Sequence, residues 1–324
     1  MWSHAGVSAL PPGFSIRRPT LDDVPDLLKL AHASDEAAVG EPDFSTDDVR
    51  EALTDANTDM SVDCWVALDA DGSIVGWTYP HNPTGGNRDF IEVYTWPGRG
   101  APVQRPLLEL MLARVAERGA AFGHDPYEVR AGAIPTESAY IATLLDAGFE
   151  FHAQHARMTM SLAGVSPTPP APPEGVTVRV LDHTDEDELR RFHGVIQEAF
   201  RDSDHHATSF EVWIDRVRAQ ARVSWDEWFV AEVDGRMVGA LQSADGDGSA
   251  EDEGWVRSLA VLRAYRRRGV GEALLRRAFA TYAANGRARA GLGVDMANPT
   301  RAARLYRAVG MHPLYEANIY RRLA

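Results

Sequence analysis

The sequence predicts an α/β fold, a mixed sheet with helices on both faces, built twice in tandem. Three observations carry this. A proline-rich stretch at 164–175, GVSPTPPAPPEG, divides the 324 residues into halves of ordinary domain size. The halves repeat one order of strand and helix signals, with a period near half the chain. Within each half strands and helices are mixed in an order that places helices over both faces of a sheet.

The elements follow in order. Residues 14–18 read as a short strand, and Pro19-Thr20 open an apolar-periodic helix from 21 to about 32. Behind the linker, the β-branched alternation of 176–180 reads as the matching strand, and residues 182–185 cap a helix reaching about 200. Next, Cys64-Trp65-Val66-Ala67-Leu68 turns through Asp71-Gly72 into Ile74-Val75-Gly76-Trp77. Its counterpart, Trp228-Phe229-Val230-Ala231-Glu232, turns through Asp234-Gly235 into Met237-Val238-Gly239-Ala240. Each half continues with a strand (90–96 or 255–261), a loop and helix (107–118 or 271–285), and another strand. A helix ending in Ala147-Gly148-Phe149 or Val309-Gly310-Met311 and a last strand complete it. The expected layout is an N-terminal domain at 1–163, a semi-rigid linker at 164–175, and a C-terminal domain at 176–324.

Composition excludes several classes. Apolar and charged fractions of 44% and 25% are those of a globular protein. No apolar run approaches the ~20 residues of a membrane span. The first 14 residues lack the basic start and apolar stretch of a secretory signal and read as a short tail. A net charge of −14 disfavours nucleic acid, so an anionic ligand needs a local basic patch. The single cysteine, Cys64, permits no internal disulfide and no zinc cluster. It lies in an apolar strand and reads as a buried small residue. The expectation is a cytoplasmic protein, monomeric or homodimeric, with no metal.

The required patch is present. In WVRSLAVLRAYRRRGVGEA, 255–273, an apolar strand ends at Val261 and a basic loop follows. Arg266-Arg267-Arg268-Gly269-Val270-Gly271 then opens a helix. Free N–H groups and the helix dipole favour an anion there, glycines admit close approach, and arginines pair with phosphate oxygens. No Gly-Lys-Ser/Thr follows, which disfavours a P-loop. The third glycine of a dinucleotide fingerprint is absent.

These residues resemble the GNAT superfamily of acyl-CoA N-acyltransferases. Its R/Q-x-x-G-x-G/A signature between strand and helix is matched by Arg266, Gly269 and Gly271. Asn298-Pro299-Thr300, followed by Leu305-Tyr306 and Val309-Gly310-Met311, resembles a second landmark of the family. The resemblance covers the C-terminal half and, more weakly, the N-terminal half; the layout resembles actinobacterial tandem proteins of the mycothiol synthase type. It implies an acetyl-CoA co-substrate and a small-molecule primary amine acceptor. Leu259, Ala260 and Val261 would line the pantetheine arm. Amides from Arg267, Arg268, Gly269, Val270 and Gly271, with Glu272 and Ala273, would hold the pyrophosphate, and Tyr306 would protonate the departing thiolate. A core aromatic on an amphipathic helix is the competing reading of Tyr306. Asn298 is open between a helix cap and a contact to the co-substrate.

The general base breaks the pattern. Many family members carry a carboxylate on the strand at 255–261, where this chain has Arg257 and Ser258. Glu253 shares simple strand parity with Arg257 and Leu259 and is one candidate; a solvated acidic loop is the other reading. Arg257 and Ser258 are candidates for gripping the acceptor. His205 and His206 read as an exposed loop or as acceptor contacts.

Aligning the halves through Leu107-Leu108 and Leu274-Leu275 sets Pro102 opposite Gly269 and Gln104 opposite Gly271. Aligning through Gly148 and Gly310 sets Leu144 opposite Tyr306. A proline offers no N–H to a phosphate, so the N-terminal half is expected not to catalyse. The expected activity is acyl-CoA-dependent N-acyl transfer, set against a non-catalytic acyl-CoA-binding sensor or assembly subunit.

Overall fold

The computed structural model describes residues 10–42, 44–201, 208–220, 223–244, 252–296 and 302–324. The chain forms two compact units: Met1–His155 with Tyr315–Ala324, and Ala156–Leu314. The last ten residues thus belong to the unit built by the start of the chain, and Ala156 to Leu162, before the linker, belong to the second unit. The linker composition marks an exposed, irregular stretch, which 164–175 is. It does not encode which sheet a flanking strand joins.

The first unit contains β1 (Ser15–Arg17), α1 (Val24–Val39), α2 (Thr46–Thr54), α3 (Met60–Asp63), β2 (Trp65–Leu68), β3 (Ile74–His81), β4 (Arg88–Thr95), α4 (Ala101–Phe122), β5 (Glu128–Ala133) and α5 (Ser138–Asp146). The strand β6 (Glu150–Ser161) follows, its first six residues in this unit and its remainder in the second. The second unit continues with β7 (Val176–Val180), α6 (Glu186–Ala199), α7 (Phe210–Ala219), β8 (Phe229–Val233), β9 (Arg236–Ala244), β10 (Glu253–Val261), α8 (Val270–Ala284), β11 (Arg289–Asp295) and α9 (Ala302–Ala308). Finally β12 (His312–Leu323) returns to the first unit from Tyr315 onward.

In the first unit the strands run β1-β2-β3-β4-β5-β12, antiparallel except for the parallel pair β4 and β5. α4 and α5 cover one face through Val103, Leu107, Leu108, Met111 and Leu144. α1 and α2 cover the other through Leu27, Leu30, Val49 and Leu53 against Val66 and Trp77. In the second unit the order is β6-β11-β10-β9-β8-β7, with β10 and β11 parallel. α8 and α9 bury Leu274, Leu275, Phe279 and Tyr306 on one face. α6 and α7 bury Leu189, Phe192, Ile196, Ile214 and Val217 on the other. The expected mixed sheet with helices on both faces is realised in each unit.

Two elements differ from the sequence reading for local reasons. The helix expected to stop near 32 runs to Val39, because nothing in 33–39 breaks it before Gly40 takes the left-handed conformation at φ 92. Ser45 opens α2 with a capping box, its hydroxyl accepting from the Asp48 amide while the Asp48 carboxylate accepts from the Ser45 amide.

Candidate active site

The second unit's sheet opens at its centre. The β10–β11 ladder pairs Glu253 with Arg289, Gly254 with Ala290 and Trp255 with Gly291, and ends there. Both strands continue, to Val261 and Asp295, without pairing to each other beyond that point. Unpaired main-chain donors and acceptors along these segments need a partner. A β-bulge at Arg257 displaces β10 from β9, since Val256 pairs with Ser243 and Ser258 with Gln242.

The bulge corrects the parity inferred from the sequence. Counted through their partners on β9, Trp255, Ser258 and Ala260 share one face, and Val256, Leu259 and Val261 the other. Ala260 packs with α6 and α7, whereas Leu259 and Val261 pack with α8 and Leu305. Glu253, two residues before Trp255, therefore lies on the face opposite Leu259. Its carboxylate is 4% exposed and accepts from Arg157 Nη2 at 2.6 Å. Arg157 in turn stacks its guanidinium over Trp255, 4.5 Å from the ring centroid. Glu253 is thus a buried ion-pair partner and not a member of a solvated loop. Arg257 projects from the bulge and is exposed, and Ser258 is half-buried beside it.

The cradle forms at the start of α8. Arg267 and Gly269 both take the left-handed conformation, at φ 61 and φ 76. Such alternation turns successive amides toward one concavity, and a non-glycine residue held at positive φ is characteristic of functional loops. No side chain caps α8. The Ala273 amide donates to the Gly269 carbonyl at 2.9 Å, closing the first helical turn. The amides ahead of Ala273 are those a helix leaves open to an anion. Arg266 holds the loop: its Nε donates to the Val261 carbonyl at 3.0 Å and its Nη2 to the Ala199 carbonyl at 2.9 Å. Its signature position is therefore met by a main-chain clamp. Arg267 and Arg268 are exposed, and Glu272 pairs with Arg276 at 2.8 Å.

The glycines sit close against their neighbours. A Cβ on Gly271 would stand 3.1 Å from Leu305 Cδ2, 3.7 Å from Val261 Cγ2 and 3.9 Å from Leu259 Cδ2. One position thus joins the strand, the cradle and α9. A Cβ on Gly269 would meet linker Pro173 Cγ at 2.7 Å. The linker therefore walls the cradle, a role its composition did not disclose.

Tyr306, on α9, is 8% exposed. Burial pushes its phenol up to about 12, so it stays protonated through neutral pH. Among the described residues no hydrogen bond engages its hydroxyl. Asn298, His205 and His206 lie outside the described residues. Among the described residues no group of three or more His, Cys, Asp or Glu side chains could hold a metal, and no helix is long and apolar enough to cross a membrane.

The first unit carries the same plan with different contents. The Cβ position of Gly76 meets Leu107 and Val103, as that of Gly239 meets Leu274 and Val270. This fixes the register that sets Pro102 at the place of Gly269 and Gln104 at that of Gly271. Here the helix α4 already begins at Ala101, so the residues matching the cradle loop are wound into its first turn. The strand β4 pairs with β3 from Phe90 to Thr95 without a bulge.

Residues 189–311 match the Acetyltransferase (GNAT) family model. No curated protein sequence matches the chain. Among solved structures it is similar to a GCN5-related N-acetyltransferase from Sphaerobacter thermophilus, with 24% identity over 97% of both chains and a TM-score of 0.83. It is also similar to a tandem GNAT protein from the clavulanic acid biosynthesis pathway, with 17% identity, 96% and 98% coverage and a TM-score of 0.66. These likenesses extend over both units and establish the tandem fold.

Proposed function

Starting from a tandem GNAT fold whose second half carries the family's acetyltransferase domain, we propose that the chain transfers acetyl from acetyl-CoA to a primary amine of a small molecule, at one site, in the second unit. The observation that carries this reading is the convergence at Gly271. The open edge of β10, the uncapped start of α8 and the helix bearing Tyr306 meet there, close around the glycine.

The residues fit the co-substrate. Amides of Arg267, Arg268, Gly269, Val270 and Gly271, at the positive end of α8, would hold the pyrophosphate, with the exposed Arg267 and Arg268 nearby. The unpaired edge at Leu259, Ala260 and Val261 would bond the amide-rich pantetheine arm. When bound, the thioester supplies an acyl carbon open to nucleophiles. The neutral amine attacks it directly, the new N–C bond forms, and the C–S bond breaks. Tyr306 Oη gives its proton to the thiolate, and the proton lost by the amine passes to water. Glu253, buried and engaged by Arg157, is not the base in this reading. Trp255, Arg257 and Ser258 border the face toward α6 and α7, where the acceptor would lie.

The test is release of free CoA thiol from acetyl-CoA with a panel comprising an amino sugar, a polyamine, an aminoglycoside-like amine and a peptide N-terminus. Amine-dependent release that disappears in Tyr306→Phe supports the reading. Acetyl-CoA binding without release toward any amine would contradict it.

A further inference from the structure

The helix α6 ends without the devices that usually close a helix. Phe200 terminates it at φ −99, without the left-handed glycine that follows α1 at Gly40 and α5 at Gly148. No basic side chain stands in its last turn to meet the negative end of the helix dipole. The last carbonyls of a helix find no partner further along it, and that of Ala199 is met from outside the helix. Arg266 Nη2 donates to it at 2.9 Å, while Arg266 Nε donates to the Val261 carbonyl at 3.0 Å.

Two further features weaken this end of α6. Gly194 stands inside the helix, where a glycine costs backbone entropy. A Cβ there would meet nothing within 4 Å, so no close contact calls for a glycine. Past it, the helix borders a groove of about 660 Å³ on its side toward the β8–β9 turn, lined by Val195, Glu198, Met237 and Leu262 among others. Glu198 and Leu262 are the chain neighbours of Ala199 and Val261, whose carbonyls Arg266 holds, so the groove runs up to the clamp. A helix end with few packed neighbours and exposed main-chain hydrogen bonds opens readily.

The other end of the clamp is the cradle. Arg266 directly precedes Arg267, held at φ 61, and Gly269, at φ 76, opens α8. Three successive arginines at the positive end of a helix repel one another, and a non-glycine residue at positive φ stores strain. An anion on the cradle amides offsets the repulsion and favours the loop conformation in which Arg266 reaches both carbonyls.

We infer that Arg266 is a positioning residue that couples the cradle to α6. An anion at the start of α8 holds the loop, and through the guanidinium the loop holds the last turn of α6, on the side where the acceptor would lie. The inference rests on the acyl-CoA reading of the cradle given above. In this role the two donors of Arg266 serve main-chain carbonyls at the ends of a strand and a helix, and the phosphates are left to the amides that follow. The coupling is reciprocal: a well-formed end of α6 strengthens acyl-CoA binding by the same factor.

The experiment is amide hydrogen exchange of the full chain with and without saturating CoA, alongside calorimetric titration of the same samples with CoA. The structure predicts slower exchange at the start of α8 and, in the same samples, about tenfold slower exchange in the last turn of α6, including the Phe200 amide that donates to Ile196 at 3.1 Å. Arg266→Lys keeps the charge but offers a point donor in place of a fork that spans two carbonyls. At saturating CoA it should retain the protection of α8 and lose that of α6. A general loss of stability would change exchange with and without CoA alike, and would not remove the CoA-dependent step at one place only. No heat of CoA binding and no protection at α8 would contradict the acyl-CoA site itself, and this inference with it. Protection of α8 without α6 in the unaltered protein, or protection of α6 that persists in folded Arg266→Lys, would overturn the coupling alone.

Discussion

Leu144 and Tyr306 occupy the same place in the two units. Each gives its carbonyl to the amide that follows a helix-ending glycine: Phe149 N–H to Leu144 at 3.0 Å, and Met311 N–H to Tyr306 at 3.0 Å. Gly148 and Gly310 take positive φ at 85 and 103 to make that turn. The backbone device is duplicated, and the tyrosine is present once.

This equivalence makes Tyr306 the first variant to examine. Tyr306→Phe keeps the ring that packs among Leu275, Val309 and Met311 and removes only the hydroxyl. We expect kcat to fall on the order of 10²-fold while acyl-CoA affinity changes little. Steady-state kinetics and equilibrium binding on the same preparation separate the two. Near-normal kcat with chemistry limiting would make Tyr306 a packing residue.

Gly269 tests the wall formed by the linker. Alanine there meets both a left-handed backbone, costing ~1–2 kcal/mol, and Pro173 at 2.7 Å. Gly269→Ala should lower stability and weaken acyl-CoA binding together. Pairing it with Pro173→Ala should recover part of the stability loss in denaturant melts, because only the steric component is relieved.

Glu253 separates structure from chemistry. Removing one partner of its buried pair with Arg157 should cost about 3–5 kcal/mol. Glu253→Gln is therefore expected to lower the unfolding midpoint, with the pH dependence of kcat retained at permissive temperature. A lost acid limb in the kcat profile would reinstate it as the base.

Glu92 gives a stability prediction with a defined sign. Its ordinary value of 4.5 applies unfolded and about 8 folded, so the native state holds the extra proton between them. The stability this group contributes is complete below the unfolded value and is lost as pH rises through the folded one. Glu92→Gln should flatten that decline in urea midpoints measured from about pH 5 to about pH 8.5. An unchanged slope would show that Glu92 is already ionised in the native protein.

The sequence disclosed the repeat and the cradle because both are local. Asp-Gly turns, the RRRGVG run and the glycine after each α5-type helix act through their own backbone. The bulge at Arg257 was not legible, because it depends on which β9 residue faces which β10 residue, and it reversed the parity argument for Glu253. The Arg157–Glu253 pair joins residues 96 positions apart, and no local pattern announces it. Glu92 could have been found by asking which half retains a carboxylate on the strand before its first-turn loop.

The central claim is one acyl-CoA site per chain, in the second unit. Equilibrium titration of the full chain with a non-hydrolysable acetyl-CoA analogue measures it directly. The account predicts a stoichiometry of one, with affinity reduced at least about tenfold by Gly271→Pro, on the order of 1.4 kcal/mol. A stoichiometry of two, or full affinity retained in a folded Gly271→Pro protein, would contradict it.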